Sequence, residues 1–187
     1  MKNHLAFLGS WIRAPRSIGA IAPSSAALAT LITQELTERH VPVIELGPGT
    51  GVITQAISSR GVPQSQIFLV ESHAPFARQL KKRYPAASVH QMDAADLADI
   101  DILGSSKAGA IISGLPLVSM PRSRRSAVIR GVARHLGDGA SMYQFTYGAT
   151  CPLPASDLQT NGLVAERIGR CLANLPPASV YRVRRAP

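Results

Sequence analysis

Val43-Ile44-Glu45-Leu46-Gly47-Pro48-Gly49-Thr50-Gly51 is an apolar run that ends in an acid and three alternating glycines, and Val52, Ile53, Ala56 and Ile57 follow it with helical spacing. A buried strand over 42–46 and a helix over 51–59, joined by a tight turn, are the predicted structure. Glycine is required where a backbone takes positive φ or lies against a ligand with no Cβ between them. The following helix adds unpaired N–H groups and the positive end of its dipole. Strand, turn and helix together form a cradle for a nucleotide. A dinucleotide fingerprint reads G-x-G-x-x-G, but the position of its third glycine is held here by Val52.

Two further acids end predicted strands. Glu71 closes Ile67-Phe68-Leu69-Val70, about 20 residues past the glycines, where a doubly wound fold places a carboxylate on ribose hydroxyls. Asp93 closes Val89-His90-Gln91-Met92, with Ala94 beside it. Three acids at three successive strand ends point to a ligand, because open α/β sheets bind at the carboxyl ends of their strands. Acid-x-Gly-x-Gly-x-Gly with these partners resembles the class I S-adenosylmethionine (SAM) methyltransferases. The resemblance implies that the glycine turn holds the methionine part of the cofactor, that Asp93 accepts from the adenine amino group, and that S-adenosylhomocysteine is the product. By the same resemblance the cofactor set is Glu45, Gly47, Gly49, Thr50, Gly51, Glu71, Asp93, Ala94 and Gly114.

The 187 residues, 45% of them hydrophobic, suffice for one core. No stretch approaches the roughly 18 uninterrupted apolar residues of a membrane span. A cleaved leader is not expected, since Arg13, Pro15 and Arg16 interrupt any apolar segment. Cys151 and Cys171 form no metal-ligand cluster, so free thiols in a reducing cytoplasm and no metal are expected. Twenty basic residues against 11 acidic ones give +9, which calls for an anionic partner surface: nucleic acid or a membrane leaflet.

Along the chain, strands are predicted over 42–46, 67–71, 88–91, 109–113 and 140–147, with helices over 26–39, 51–59, 74–83 and 122–136. Gly137-Asp138-Gly139 reads as a turn, and Asn174-Leu175-Pro176-Pro177 as the tip of a hairpin between strands at 163–172 and 179–184. The predicted fold class is therefore α/β: a Rossmann-like seven-stranded sheet with helices on both faces, residues 14–187, preceded by residues 1–13. On a helical wheel Met1, Leu5, Phe7, Leu8, Trp11 and Ile12 share an arc of roughly 160°, with Lys2 and Arg13 opposite. Such a helix suits an anionic membrane interface, although packing on the core is the alternative.

The predicted fourth strand ends in Ser113-Gly114-Leu115-Pro116-Leu117. Enzymes that methylate base amines resemble N-P-P-Y at this place; here Gly114 and Leu117 replace the polar acceptor and the stacking ring. Nucleic acid is therefore not the expected substrate, and a small apolar mouth fits an aliphatic amine. Pro15 to Ser25, Glu45 to Gly51, Ser113 to Pro116, Gln144-Phe145-Thr146-Tyr147-Gly148 and Asn174 to Ala178 together resemble the small bacterial phospholipid N-methyltransferases. That resemblance spans nearly the whole chain. It implies methylation of phosphatidylethanolamine and its methylated derivatives towards phosphatidylcholine, at the inner face of the cytoplasmic membrane. Met92 departs from the related pattern, which has glycine before the aspartate.

Tyr147 is the candidate catalytic residue, its ring holding the amine by cation–π attraction; a tyrosine packed on the sheet edge is the alternative. His90 and His135 read as surface or helix-end histidines rather than bases. Arg13, Arg16 and Arg182 are candidates for a lipid phosphate, because guanidinium forks match phosphate oxygens. The competing readings are an RNA or DNA base methyltransferase, like the ribosomal RNA adenine dimethylases, and a noncatalytic SAM-binding membrane adaptor.

Overall fold

Val43, Ile44 and Leu46 have no exposure, and a strand so buried on both faces belongs at the centre of a sheet covered by helices. The computed structural model, which describes residues 23–148, 150–174 and 176–187, places it there. This strand, β1 (Val43–Leu46), lies between β2 (Ile67–Val70) and β4 (Ala108–Ser113). Outside β2 is β3 (Ser88–His90); outside β4 come β5 (Leu136–Thr146), β7 (Ala178–Arg185) and β6 (Leu163–Cys171). The order is β3-β2-β1-β4-β5-β7-β6, parallel from β3 to β5, with β7 antiparallel to both its neighbours. This is the predicted seven-stranded Rossmann-like sheet.

Side-chain alternation along β1 divides the core. Val43 joins Ile112 and Val180 beneath α1 (Pro23–Ile32), α2 (Val52–Ser59) and α3 (Ala74–Arg83). Ile44 and Leu46 join Ile111, Met142 and Val183 beneath α4 (Arg122–His135), α5 (Ala155–Thr160) and a 3₁₀ turn at Ala94–Ala98. Burying one such aliphatic side chain stabilises by about 1.5–3 kcal/mol, and truncating it to alanine costs about 2–5 kcal/mol. The same alternation turns Glu45, two residues from Val43, towards α2.

Two local expectations are corrected, and one is narrowed. The helix predicted over 26–39 ends at Ile32, where turns close through Gln34 N–H to Leu31 O and Leu36 N–H to Thr33 O. Gly137-Asp138-Gly139 is no separate turn: β5 starts at Leu136 against Ala108, and the register slips before Ala110 meets Ser141, so these residues form an irregularity inside the strand. Of the two readings of His135, the helix-end one holds and the surface one does not: it closes α4 and is buried, its Nδ1 2.9 Å from Gly131 O, at the sheet edge opposite the carboxyl ends. Residues 1–13, with the predicted interfacial helix, lie outside the described residues, as do Arg13 and Arg16.

Candidate active site

The strand order reverses beside β1, so a crevice opens at the carboxyl ends of β1 and β4. Gly47 to Gly51 turn into α2 there, tied by Gly47 N–H to Val70 O (2.9 Å) and Gly51 N–H to Pro48 O (2.9 Å). The buried Tyr84 donates its hydroxyl to Gly51 O at 3.0 Å and props the turn from beneath. Gly49 has φ +56°, and a Cβ there would meet nothing within 4 Å, so the turn leaves one side open for a ligand.

Glu71 pins this turn. One carboxylate oxygen accepts the Gly49 N–H at 3.0 Å and the other accepts the His73 N–H at 2.7 Å. Each oxygen keeps a further lone pair for hydroxyl groups. Thr50 is exposed on the same turn, its carbonyl accepting from Arg83.

Glu45 is completely buried under the turn. Its Oε2 accepts the Thr54 hydroxyl at 2.6 Å, and its Oε1 has no partner among the described residues. Desolvation pushes its carboxyl up to about 8, partly opposed by the Thr54 hydrogen bond and reinforced by the Glu71 charge. A buried acid with an orphaned oxygen is costly unless something supplies a donor or a positive charge. An ammonium-bearing ligand does both, so the cradle fits the amino-acid end of SAM.

Asp93 precedes the Ala94–Ala98 turn and caps it, its Oδ1 accepting the Ala95 N–H at 3.0 Å. Arg124, in the first turn of α4, forms an ion pair with Oδ2. Ala94 is buried beside them.

Gly114 brings the end of β4 onto the glycine turn. Its N–H donates to Leu46 O at 2.8 Å, and a Cβ there would stand 2.8 Å from Gly47 O. The buried Gln144, beside Ser113 across β4 and β5, donates through Nε2 to Leu115 O at 3.0 Å and to Phe145 O at 2.7 Å. That clamp fixes the Gly114–Pro116 segment as one wall of a cleft of about 260 Å³. Leu115, Leu117, Val118, Phe145, Tyr147 and Pro152 supply its apolar lining, and no charged side chain lines it among the described residues.

Tyr147 is half-buried and meets Phe145 edge to face, ring centroids 5.4 Å apart. Burial pushes its phenol above the ordinary value, opposed by a hydrogen bond with the Asn174 side chain. The hydroxyl therefore stays protonated near neutral pH, and the useful feature is the ring. Tyr143 shares this face, as alternation along β5 predicts, but is buried with its hydroxyl on Glu35 at 2.9 Å. Arg182 lies opposite Tyr143, away from the cleft: Glu35 accepts from its Nη1 at 3.0 Å and Glu166 from its Nη2 at 2.8 Å. With its guanidinium held by two carboxylates below the carboxyl edge, Arg182 is a structural ion-pair residue in this fold. His90, at the end of β3, stacks on Phe68 and is pushed down by burial.

The structure thus gathers Glu45, Gly47, Gly49, Thr50, Gly51, Glu71, Asp93, Ala94, Gly114 and Tyr147 along the carboxyl edge. Sequence reasoning missed Thr54, Tyr84 and Arg124, and it singled out Gln144 and Asn174 only as motif members without a role. For Thr54 a signal existed, a hydroxyl three residues past the last glycine and directly after the apolar Val52 and Ile53; the others act over long separations.

The comparisons agree with this geometry. A sequence family described as a methyltransferase domain matches residues 43–139. An ornithine lipid N-methyltransferase of Singulisphaera acidiphila is 30% identical over 156 residues, covering 78% of this chain and 79% of that one. Among solved structures, the CcbJ methyltransferase of Streptomyces caelestis matches with a TM-score of 0.66 at 14% identity, covering 92% of this chain and 94% of that one. Magnesium protoporphyrin IX methyltransferase of Synechocystis, solved with SAM, matches with a TM-score of 0.65 at 11% identity, covering 100% and 99%. The glycine turn, the acids at the strand ends and these matches place the chain in the class I SAM-dependent methyltransferase family.

Proposed function

We propose that this methyltransferase acts on the amine of a membrane lipid, methylating phosphatidylethanolamine and its methylated derivatives towards phosphatidylcholine. The observation that carries the reading is the largely apolar cleft beside the glycine turn, with no charged side chain among its described lining and with Gly114 and Leu117 where base-methylating enzymes carry a polar acceptor and a stacking ring. The lipid N-methyltransferase relative, 30% identical, supports it.

In this reading Glu45, the glycine turn, Glu71 and Asp93 hold SAM, with Ala94 and Gly114 closing the walls. When bound, SAM supplies an electrophilic sulfonium methyl. The chain's own work is on the acceptor. The apolar walls disfavour the charged form of a head-group amine, so its proton passes to solvent and the nitrogen lone pair becomes available. The Phe145 and Tyr147 rings hold the ammonium that each transfer leaves, and keep holding it as methyls accumulate, because cation–π attraction needs no N–H donor. Gln144 fixes Leu115 and so the width of the cleft. Holding the reacting atoms in line is the main catalytic contribution.

Residues 1–13 are part of this proposal as a helix lying on the inner face of the cytoplasmic membrane, with Arg13 and Arg16 near lipid phosphate. Among the described residues no helix is long and apolar enough to cross a membrane. One second reading has a specific observation behind it: an ornithine lipid as acceptor, favoured by the relative's activity and by a described cleft lining without a cation for phosphate. Incubation with SAM and each lipid separately, followed by mass spectrometry of the lipid fraction, decides between them. Mass increments of successive methyls on phosphatidylethanolamine support the first reading; increments on ornithine lipid alone replace it.

A further inference from the structure

Four large hydrophobic side chains are well exposed among the described residues: Ile100 (47%), Val118 (57%), Val164 (37%) and Leu172 (72%). They are not scattered evenly. Ile100 neighbours Asp101, which meets His135 just before β5, and Val164 is the second residue of β6, both at the amino edge of the sheet. Val118 lines the cleft. Leu172 follows Cys171, which pairs with Ala178 to close the β6–β7 hairpin, and the adjacent rung joins Ser179 to Thr146 at the end of β5. The two most exposed side chains therefore belong to the edge where the cleft opens.

The hairpin tip is held to that cleft. Asn174 is buried, donates to Pro176 O at 2.8 Å and has its side chain beside the Tyr147 hydroxyl. Pro176 and Pro177 are exposed beside Leu172, so the tip presents apolar surface with little conformational freedom to lose. Charge follows the same pattern. Residues 113–125, 147–156 and 167–179, which frame the cleft and the hairpin tip, contain five arginines; Arg124 pairs with Asp93 and Arg125 with Asp157, which leaves Arg122, Arg167 and Arg170 without an ion pair among the described residues. Arg122 and Arg170 are exposed there. Apolar tips flanked by guanidinium groups complement the interfacial layer of a bilayer that contains anionic lipid.

We propose that this edge is a membrane-docking rim: Val118, Leu172, Pro176 and Pro177 enter the interfacial layer, and Arg122 and Arg170 meet its anionic head groups. The inference rests on the lipid-acceptor reading and deepens it, because a docked rim lets the head group reach the cleft without crossing water. It is separate from any contribution of residues 1–13.

The test uses the full chain and flotation with vesicles of phosphatidylethanolamine and phosphatidylglycerol. The double variant Arg170→Glu/Leu172→Asp is expected to partition about ten-fold less than the wild type, and Ile100→Asp to partition like it. With a short-chain lipid amine offered as a monomer, the double variant is expected to transfer methyl at the wild-type rate, since neither residue belongs to the cleft. Failure of the wild type to float, wild-type partition of the double variant, or an equal loss in Ile100→Asp overturns the rim. Loss of ribosomal RNA binding in the double variant with vesicle binding unchanged also overturns it, assigning the surface to a different polyanion. If no lipid accepts methyl while the double variant still loses vesicles, the rim stands and the acceptor assignment falls.

Discussion

Replacing Glu45 with glutamine removes a titration that the fold makes unfavourable. The carboxyl is raised from 4.5 to about 8 by complete burial. Between those values the unfolded chain has lost its proton and the folded chain retains it, so the folded state binds more protons and stability falls as pH rises. One pKa unit corresponds to about 1.4 kcal/mol, so about 3 kcal/mol has been lost by pH 7 relative to pH 4.5. Glutamine keeps an acceptor for the Thr54 hydroxyl without the charge. In a chain of this size each kcal/mol moves Tm by about 2–4 °C, so without SAM Glu45→Gln is expected to melt about 6–12 °C above the wild type at pH 7 and close to it at pH 5. The counterpart lies in binding. If the SAM ammonium requires ionised Glu45, wild-type affinity increases about 50-fold from pH 6 to pH 8, and Glu45→Gln shows no such rise while binding weakly throughout. Scanning calorimetry and isothermal titration across that range measure both. Parallel pH profiles for wild type and variant in either experiment would refute the assignment of a buried, protonated acid under the glycine turn.

Tyr147→Phe is expected to keep kcat within a few-fold, while Tyr147→Ala loses about ten-fold, the scale of one cation–π contact; equal loss in both variants would return the role to the hydroxyl. Gly114→Ala places a Cβ 2.8 Å from Gly47 O, a backbone atom that cannot move aside cheaply, so SAM binding by calorimetry should be lost while the far-UV spectrum stays native. Arg124→Ala breaks an exposed ion pair with Asp93 and is expected to weaken SAM by less than about five-fold and to move Tm by a few degrees at most.

The sheet was readable because its central strands are unbroken apolar runs closed by acids and glycines, and because helical spacing is clear in α2, α3 and α4. Local signals failed where tertiary contacts decide. Glu35 is drawn out of helix continuation by Tyr143 and Arg182, residues more than a hundred positions away, so the first helix stops early. The segment Gly137 to Gly139 carries every mark of a turn, yet β5 runs through it as an irregularity between Leu136 and Ser141, the residues that pair with β4 on either side. The six-residue α5 is too short for periodicity to announce. In the site, residue types at strand ends were legible, while their partners were not. Thr54 on Glu45, Arg124 on Asp93 and Gln144 on Leu115 depend on which strand lies beside which, and that is information carried by the sheet order. Arg182 shows the converse: an arginine in a basic cluster invites a phosphate, but the fold supplies it with two carboxylates first.

The central claim is that the acceptor is a lipid amine. Purified protein with methyl-labelled SAM, offered phosphatidylethanolamine in anionic vesicles and ribosomal RNA in parallel, tests it most directly once lipid and aqueous products are separated. The account predicts label in the lipid fraction, with a ladder of mono-, di- and trimethylated head groups reporting how many turns occur. Label confined to RNA would contradict it and would show that the apolar cleft between Gly114 and Tyr147 receives a base.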